Sequence, residues 1–181
     1  PSSPYSHACP LYRAELAVRP GRDEMYIWYV NEYDENQGMF MTLDGGATWT
    51  AVSTAGIENC GDTWGCGTEQ GIFNLALAAV PNGEATDLYA GAVNLFRCTI
   101  SLNDPSCAAG FVNLTHAYGC DPAGSFSHVH PGQHAIDFAQ RLGASPALFI
   151  ANDGGIYRKL DSFTPTDGLC GGSYNFDNLN A

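Results

Sequence analysis

Apolar and β-branched residues in this chain fall in short runs punctuated by Gly, Asn, Asp and Pro, the pattern of strands separated by turns. No stretch sustains a 3.6-residue period, so long helices are not expected. The runs come in sets of four, and the set recurs at a spacing of about 60 residues. First strands are predicted at 14–18, 74–80 and 134–138, and second strands at 25–30, 88–93 and 148–151. Third strands follow at 38–41, 94–97 and 155–158, and fourth strands at 48–52, 111–115 and 176–179. The expected fold is all-β, three copies of a four-stranded antiparallel meander. The first strand of each copy is nearly all apolar with small side chains, as a strand buried on both faces would be. The chain then divides into an N-terminal segment (1–12), three repeat units (13–54, 74–118 and 134–181), a connector with two cysteines (55–73) and a His-rich loop (119–133).

The turns between third and fourth strands differ in chemistry. In the first unit, residues 42–49 read Thr-Leu-Asp-Gly-Gly-Ala-Thr-Trp. Asp44 ahead of two glycines is a strong hairpin signal, because a short carboxylate accepts bonds from the turn's own N–H groups. Thr42, Gly46, Thr48 and Trp49 complete this self-stabilised hairpin, and a carboxylate spent on its own turn is a poor catalyst. In the second unit, Cys98 and Cys107 bracket the turn, and a disulfide would close it. In the third, a longer loop over 160–175 carries Cys170.

These residues support a resemblance. The octapeptide at 42–49 matches the S/T-x-D-x-G-x-T-W Asp box. With Asn-Leu-Ala-Leu-Ala-Ala-Val at 74–80, Gly-Ala-Val-Asn-Leu-Phe-Arg at 91–97 and Ala-Asn-Asp-Gly-Gly-Ile-Tyr-Arg at 151–158, it resembles the Asp-box (BNR-repeat) sialidase-like β-propellers. That group includes sortilin-type secreted proteins and glycoside hydrolase family 74-type xyloglucanases. Residues 130–136 are similar to the group's H-x-D-Q-H-A segment, with Gly132 where the pattern has Asp. The resemblance implies that the units are blades, about three of them in this chain, in a larger ring of about seven. The remaining blades would come from further sequence or from another chain. Architecture follows from such a likeness more readily than function. Sialidases carry an early Arg-Ile-Pro segment and an arginine triad, and neither pattern is found among the arginines of this sequence. Family 74 enzymes use two aspartates facing one cleft. Asp153 loosely resembles the site of one, and no partner for it is matched.

Charge narrows the partners. Lys and Arg total 7 against 19 Asp and Glu, a net charge of −12. Such a surface repels nucleic acid and anionic lipid, and it tolerates Ca²⁺ or a neutral carbohydrate. No apolar run approaches the roughly 18 residues that would cross a membrane. Seven cysteines with a single lysine, Lys159, point to an oxidising, extracellular or cell-surface setting. Cys60/Cys66 and Cys98/Cys107 are the closely spaced pairs, while Cys9, Cys120 and Cys170 are left without an assigned partner. The start in a Pro/Ser-rich stretch is read as a processed or excised terminus.

Candidate chemistry is sparse. His128, His130 and His134 form an H-x-H-x3-H array that suits a metal site or the lining of a mouth. The plainer alternative is that His134 packs and His130 bonds a neighbouring loop. Asp153 is either a general acid or base on a loop, or the cap of its own Gly-Gly turn. Trp64 stands within the Cys60–Cys66 loop, where a disulfide would present the indole on a rigid tip for stacking. Ligand contact is therefore assigned to Trp64, His130, His134 and Asp153. Trp28, Tyr29, Tyr33, Tyr118 and Phe126 are further stacking candidates. Asn113 begins an N-glycosylation sequon inside a predicted strand. None of these readings requires a cofactor. The favoured function is a secreted or cell-surface propeller that scaffolds or binds protein or glycan, and the alternative is a hydrolase of the family 74 type acting through Asp153.

Overall fold

Alternation and turn chemistry produce strands where the pattern places them. The computed structural model describes residues 11–101, 103–119, 129–160 and 176–180. They form three antiparallel sheets of four strands, each a meander in chain order. The first holds β1 (Arg13–Val18), β2 (Met25–Val30), β3 (Asn36–Thr42) and β4 (Thr50–Val52). The second holds β5 (Ala76–Asn82), β6 (Ala85–Gly91), β7 (Leu95–Ile100) and β8 (Val112–Asn113). The third holds β9 (Gln133–Arg141), β10 (Ala144–Asn152), β11 (Gly155–Lys159) and β12 (Asp177–Asn178). One helical turn, α1 (Ala55–Glu58), lies in the connector after β4. No described helix is long and apolar enough to cross a membrane.

The sheets stack through their flat faces, with β5 beside both β1 and β9. One core joins Tyr26, Trp28, Met39 and Met41 of the first sheet to Leu77, Leu88, Phe96 and Ile100 of the second. Another joins Ala78, Val80, Tyr89 and Leu95 of the second sheet to Leu148, Ile150, Tyr157 and Phe176. The period-2 geometry of β5 explains this, since Leu77 and Ala79 face one neighbour while Ala78 and Val80 face the other. Each large apolar side chain buried this way contributes about 1.5–3 kcal/mol. In the second sheet β5 and β6 are buried on both faces. The expectation of double burial fails for β1 and β9, because each has a sheet against one face only. Leu16 and Val18 are more than half exposed as a result.

Polar clamps set how the first two sheets align. At the start of β1, Arg13 donates to the carbonyls of Ile72, Phe73 and Leu75 at 3.2, 2.5 and 2.8 Å. Past its end, buried Arg19 donates to Gly83 and Ala85 carbonyls at 2.8 and 3.2 Å. Buried Glu24 accepts from the Tyr26 hydroxyl at 2.6 Å and from Thr86. Burial, then the Glu24 bond, pushes the Tyr26 phenol far above its usual range. The three sheets therefore run the same way. One end of the stack gathers the β2–β3, β6–β7 and β10–β11 turns and the two long connectors. The other gathers the remaining hairpins.

Strand ends depart from expectation at one informative place. β6 stops at Gly91, and Ala92 N–H bonds the Asn94 carbonyl at 2.9 Å in a tight turn. The Ala92 and Val93 carbonyls are thereby turned toward the third sheet, where Gln133 N–H and Gly132 N–H reach them at 2.7 and 3.0 Å.

Candidate functional site

The octapeptide at 42–49 lies at the hairpin end. Asp44 accepts from the Thr42 hydroxyl, the Thr48 N–H and the Thr48 hydroxyl at 2.7, 2.8 and 2.6 Å. Thr42 in turn accepts from Gly46 N–H at 2.9 Å. The bonds from Thr48 chiefly, then Thr42, hold the Asp44 carboxyl down at about 2. Trp49 donates to the Gly46 carbonyl at 3.2 Å and covers the turn while staying 42% exposed. The second hairpin contains the Cys98–Cys107 disulfide and also a carboxylate. Asp104 accepts from Ala108 and Ala109 N–H at 2.7 and 3.0 Å, bonds that lower its carboxyl. Sequence reasoning gave this turn to the disulfide alone. The Asp104-Pro105 step was the turn signal that would have found the second device.

The connector end is built differently. A cleft of about 420 Å³ opens there between Trp64, Glu69, Tyr118, His130, Gly132 and Asp153. Trp64 comes from the loop closed by the Cys60–Cys66 disulfide, and Glu69 follows on the same connector. Tyr118 and His130 come from the connector after β8. Asp153 comes from the β10–β11 turn, and its Oδ1 lies 2.6 Å from His134 Nε2 at the start of β9. The other ring nitrogen of His134 lies 3.4 Å from the Phe73 carbonyl. A second cleft of about 600 Å³, with Tyr33, Asp34, Glu35 and Glu58, shares Glu69 with the first.

Asp153 is available to this cleft because Asn152 caps the turn instead. Asn152 Oδ1 accepts Gly154 N–H at 3.0 Å, and its Nδ2 donates to the His130 carbonyl at 2.9 Å. The reading of Asp153 as a self-capping residue is corrected on that ground. Gly132 has φ +79°, and a Cβ there would fall 2.5 Å from Asp153 Oδ2. Gly132 thus leaves open the space that the Asp153 carboxylate fills.

Two members of the proposed histidine array, His130 and His134, lie among the described residues. His134 bonds Asp153, His130 Nδ1 lies 3.0 Å from the Pro131 carbonyl, and His128 falls outside the described residues. No group of three or more His, Cys, Asp or Glu is placed to hold a metal among the described residues. Phe126, Cys9, Cys120 and Cys170 also fall outside them. Asn113 is 5% exposed, and its Nδ2 donates to Asp62 at 3.2 Å. The sequon amide is therefore committed to an internal bond.

The two ends differ in what they expose. Tyr12, Tyr33, Trp64, Phe73 and Tyr118 are at least half exposed, and all lie at the connector end. Trp49, on its own hairpin, is the exposed aromatic of the opposite end among the described residues. Of the described non-glycine residues with positive φ, Asp34, Gln70 and His116 lie at the connector end and Cys107 lies in the second hairpin at the other. Backbone held this way costs about 1–3 kcal/mol per residue and collects at working sites. The chain matches no family model and no curated protein.

Proposed function

We propose that the three sheets are blades of an Asp-box β-propeller and that the connector end binds neutral glycan on a secreted or cell-surface protein. The observation that carries the reading is the exposed pair Trp64 and Tyr118 lining one cleft with Glu69, Gln70 and Asp153. The C–H faces of a sugar ring stack on aromatic rings, while its hydroxyls donate to carboxylates and amide oxygens. The six residues named for the cleft include two carboxylates and neither Lys nor Arg, which disfavours sialic acid, nucleic acid or any other anionic ligand. The face-to-face stacking of the meanders and the bonded Asp-box turn support the propeller. The two disulfides fit an extracellular protein. An apolar row on the free face of the first sheet, Leu16–Ile27–Phe40–Ala51 in register, suits a further blade from more sequence or another chain.

Calorimetric titration with neutral β-glucan oligosaccharides tests the binding reading. Trp64→Ala should weaken binding at least tenfold, about 1.4 kcal/mol, while Trp49→Ala at the opposite end leaves it unchanged. Equal affinities for both variants, or no binding by the parent, would discard the reading.

One observation favours a second reading, hydrolysis of the family 74 type. Glu69 and Asp153 are two carboxylates facing one cleft, as glycoside hydrolysis requires. In this reading Asp153, bonded to His134 at 2.6 Å, would act as the base and Glu69 would protonate the leaving oxygen. Release of reducing ends from β-glucan that disappears in Asp153→Asn would establish it.

A further inference from the structure

The two aromatics of the cleft come from segments far apart in the chain, yet one buried carboxylate lies under both. Asp62 precedes Trp64 by two residues, and His116 precedes Tyr118 by two. The Asp62 side chain is 1% exposed and its Oδ1 lies 2.6 Å from His116 Nδ1. Its Oδ2 accepts from Asn94 Nδ2 at 3.1 Å and Asn113 Nδ2 at 3.2 Å. Fully buried Asn94 extends the same network to the residues next to each aromatic. Its Nδ2 donates to the Gly65 carbonyl at 2.9 Å, and its Oδ1 accepts Ala117 N–H at 2.7 Å. Backbone closes in as well, since a Cβ on Gly119 would fall 2.0 Å from Asp62 Oδ1. A buried carboxylate needs several donors, and this one collects three from two segments, Asn94 in one and Asn113 with His116 in the other.

We infer that Asp62 is a positioning residue, holding the Trp64 loop and the Tyr118 segment at the separation and tilt that a sugar ring needs. Its purpose rests on the glycan reading; its measurement does not. An ionised carboxylate is an acceptor at both oxygens, which suits three inward-pointing donors. Asparagine has the same shape but turns an NH₂ toward one of them. Placed at the Oδ2 position, that NH₂ would face the two donors of Asn94 and Asn113.

The experiment uses the full chain with Trp49→Phe, so that Trp64 is the exposed indole and Trp28 stays buried. Asp62→Asn and His116→Phe are each added, and emission maximum, acrylamide quenching, thermal unfolding and oligosaccharide affinity are recorded. The inference expects a cooperative fold in Asp62→Asn with altered Trp64 emission and quenching, and affinity lower by about tenfold. A folded Asp62→Asn with Trp64 signals identical to the parent overturns it. If Asp62→Asn does not fold, His116→Phe carries the same expectation. Failure of both to fold assigns Asp62 to the core and also overturns it. A shifted Trp64 signal in a chain whose parent binds no neutral oligosaccharide keeps the positioning role and discards the glycan reading.

Discussion

Gly132 and Asp153 compete for one volume, and the outcome decides what the cleft contains. Any side chain at 132 meets the Asp153 carboxylate and must also accept a left-handed backbone. Gly132→Ala should cost about 1–3 kcal/mol from the backbone alone, measurable by denaturant unfolding. Gly132→Asp should cost more, because it sets two carboxylates against each other. Unchanged stability in Gly132→Asp would show that Asp153 moves away freely. The sequence at 151–158 marked a turn without revealing which of Asn152 and Asp153 would cap it. Both residues can cap, and the choice went to Asn152 because its Nδ2 also reaches the His130 carbonyl.

Hairpins are the scale at which local chemistry reads most directly. The bonds that close the first hairpin connect residues no more than four apart, so Thr42, Asp44 and Thr48 were legible from spacing. Their pH dependence has a definite sign. The Asp44 carboxyl is lowered from 3.8 to about 2 on folding. Its contribution is therefore present above the ordinary carboxylate pKa and is lost as pH falls through about 2. Thermal midpoints of the parent should exceed those of Asp44→Asn above pH 4, and the two should converge near pH 2. Parallel profiles across that window would contradict the assignment. Asp104 was less legible, because the neighbouring cysteines offered a sufficient closure on their own.

For the molecule as a whole, charge is the dominant long-range term. A net charge of −12 repels itself in the compact state. Screening should therefore raise the unfolding temperature between about 0.02 and 0.5 M NaCl; a flat or falling midpoint would mean that local ion pairs outweigh the net field. The strand pattern, the threefold repeat, the local disulfides and the Asp44 turn depend on residues close in the chain, and the sequence by itself determined them. Double burial of β5 but not of β1 or β9 depends on which sheets become neighbours, which a repeat period does not state. The cleft depends on still longer range. Asp62 meets His116 across connectors that converge only after the sheets stack, and His134 meets Asp153 through the register of the β9–β10 pair. Local periodicity carries no information about such meetings, so only the tertiary structure decided the site.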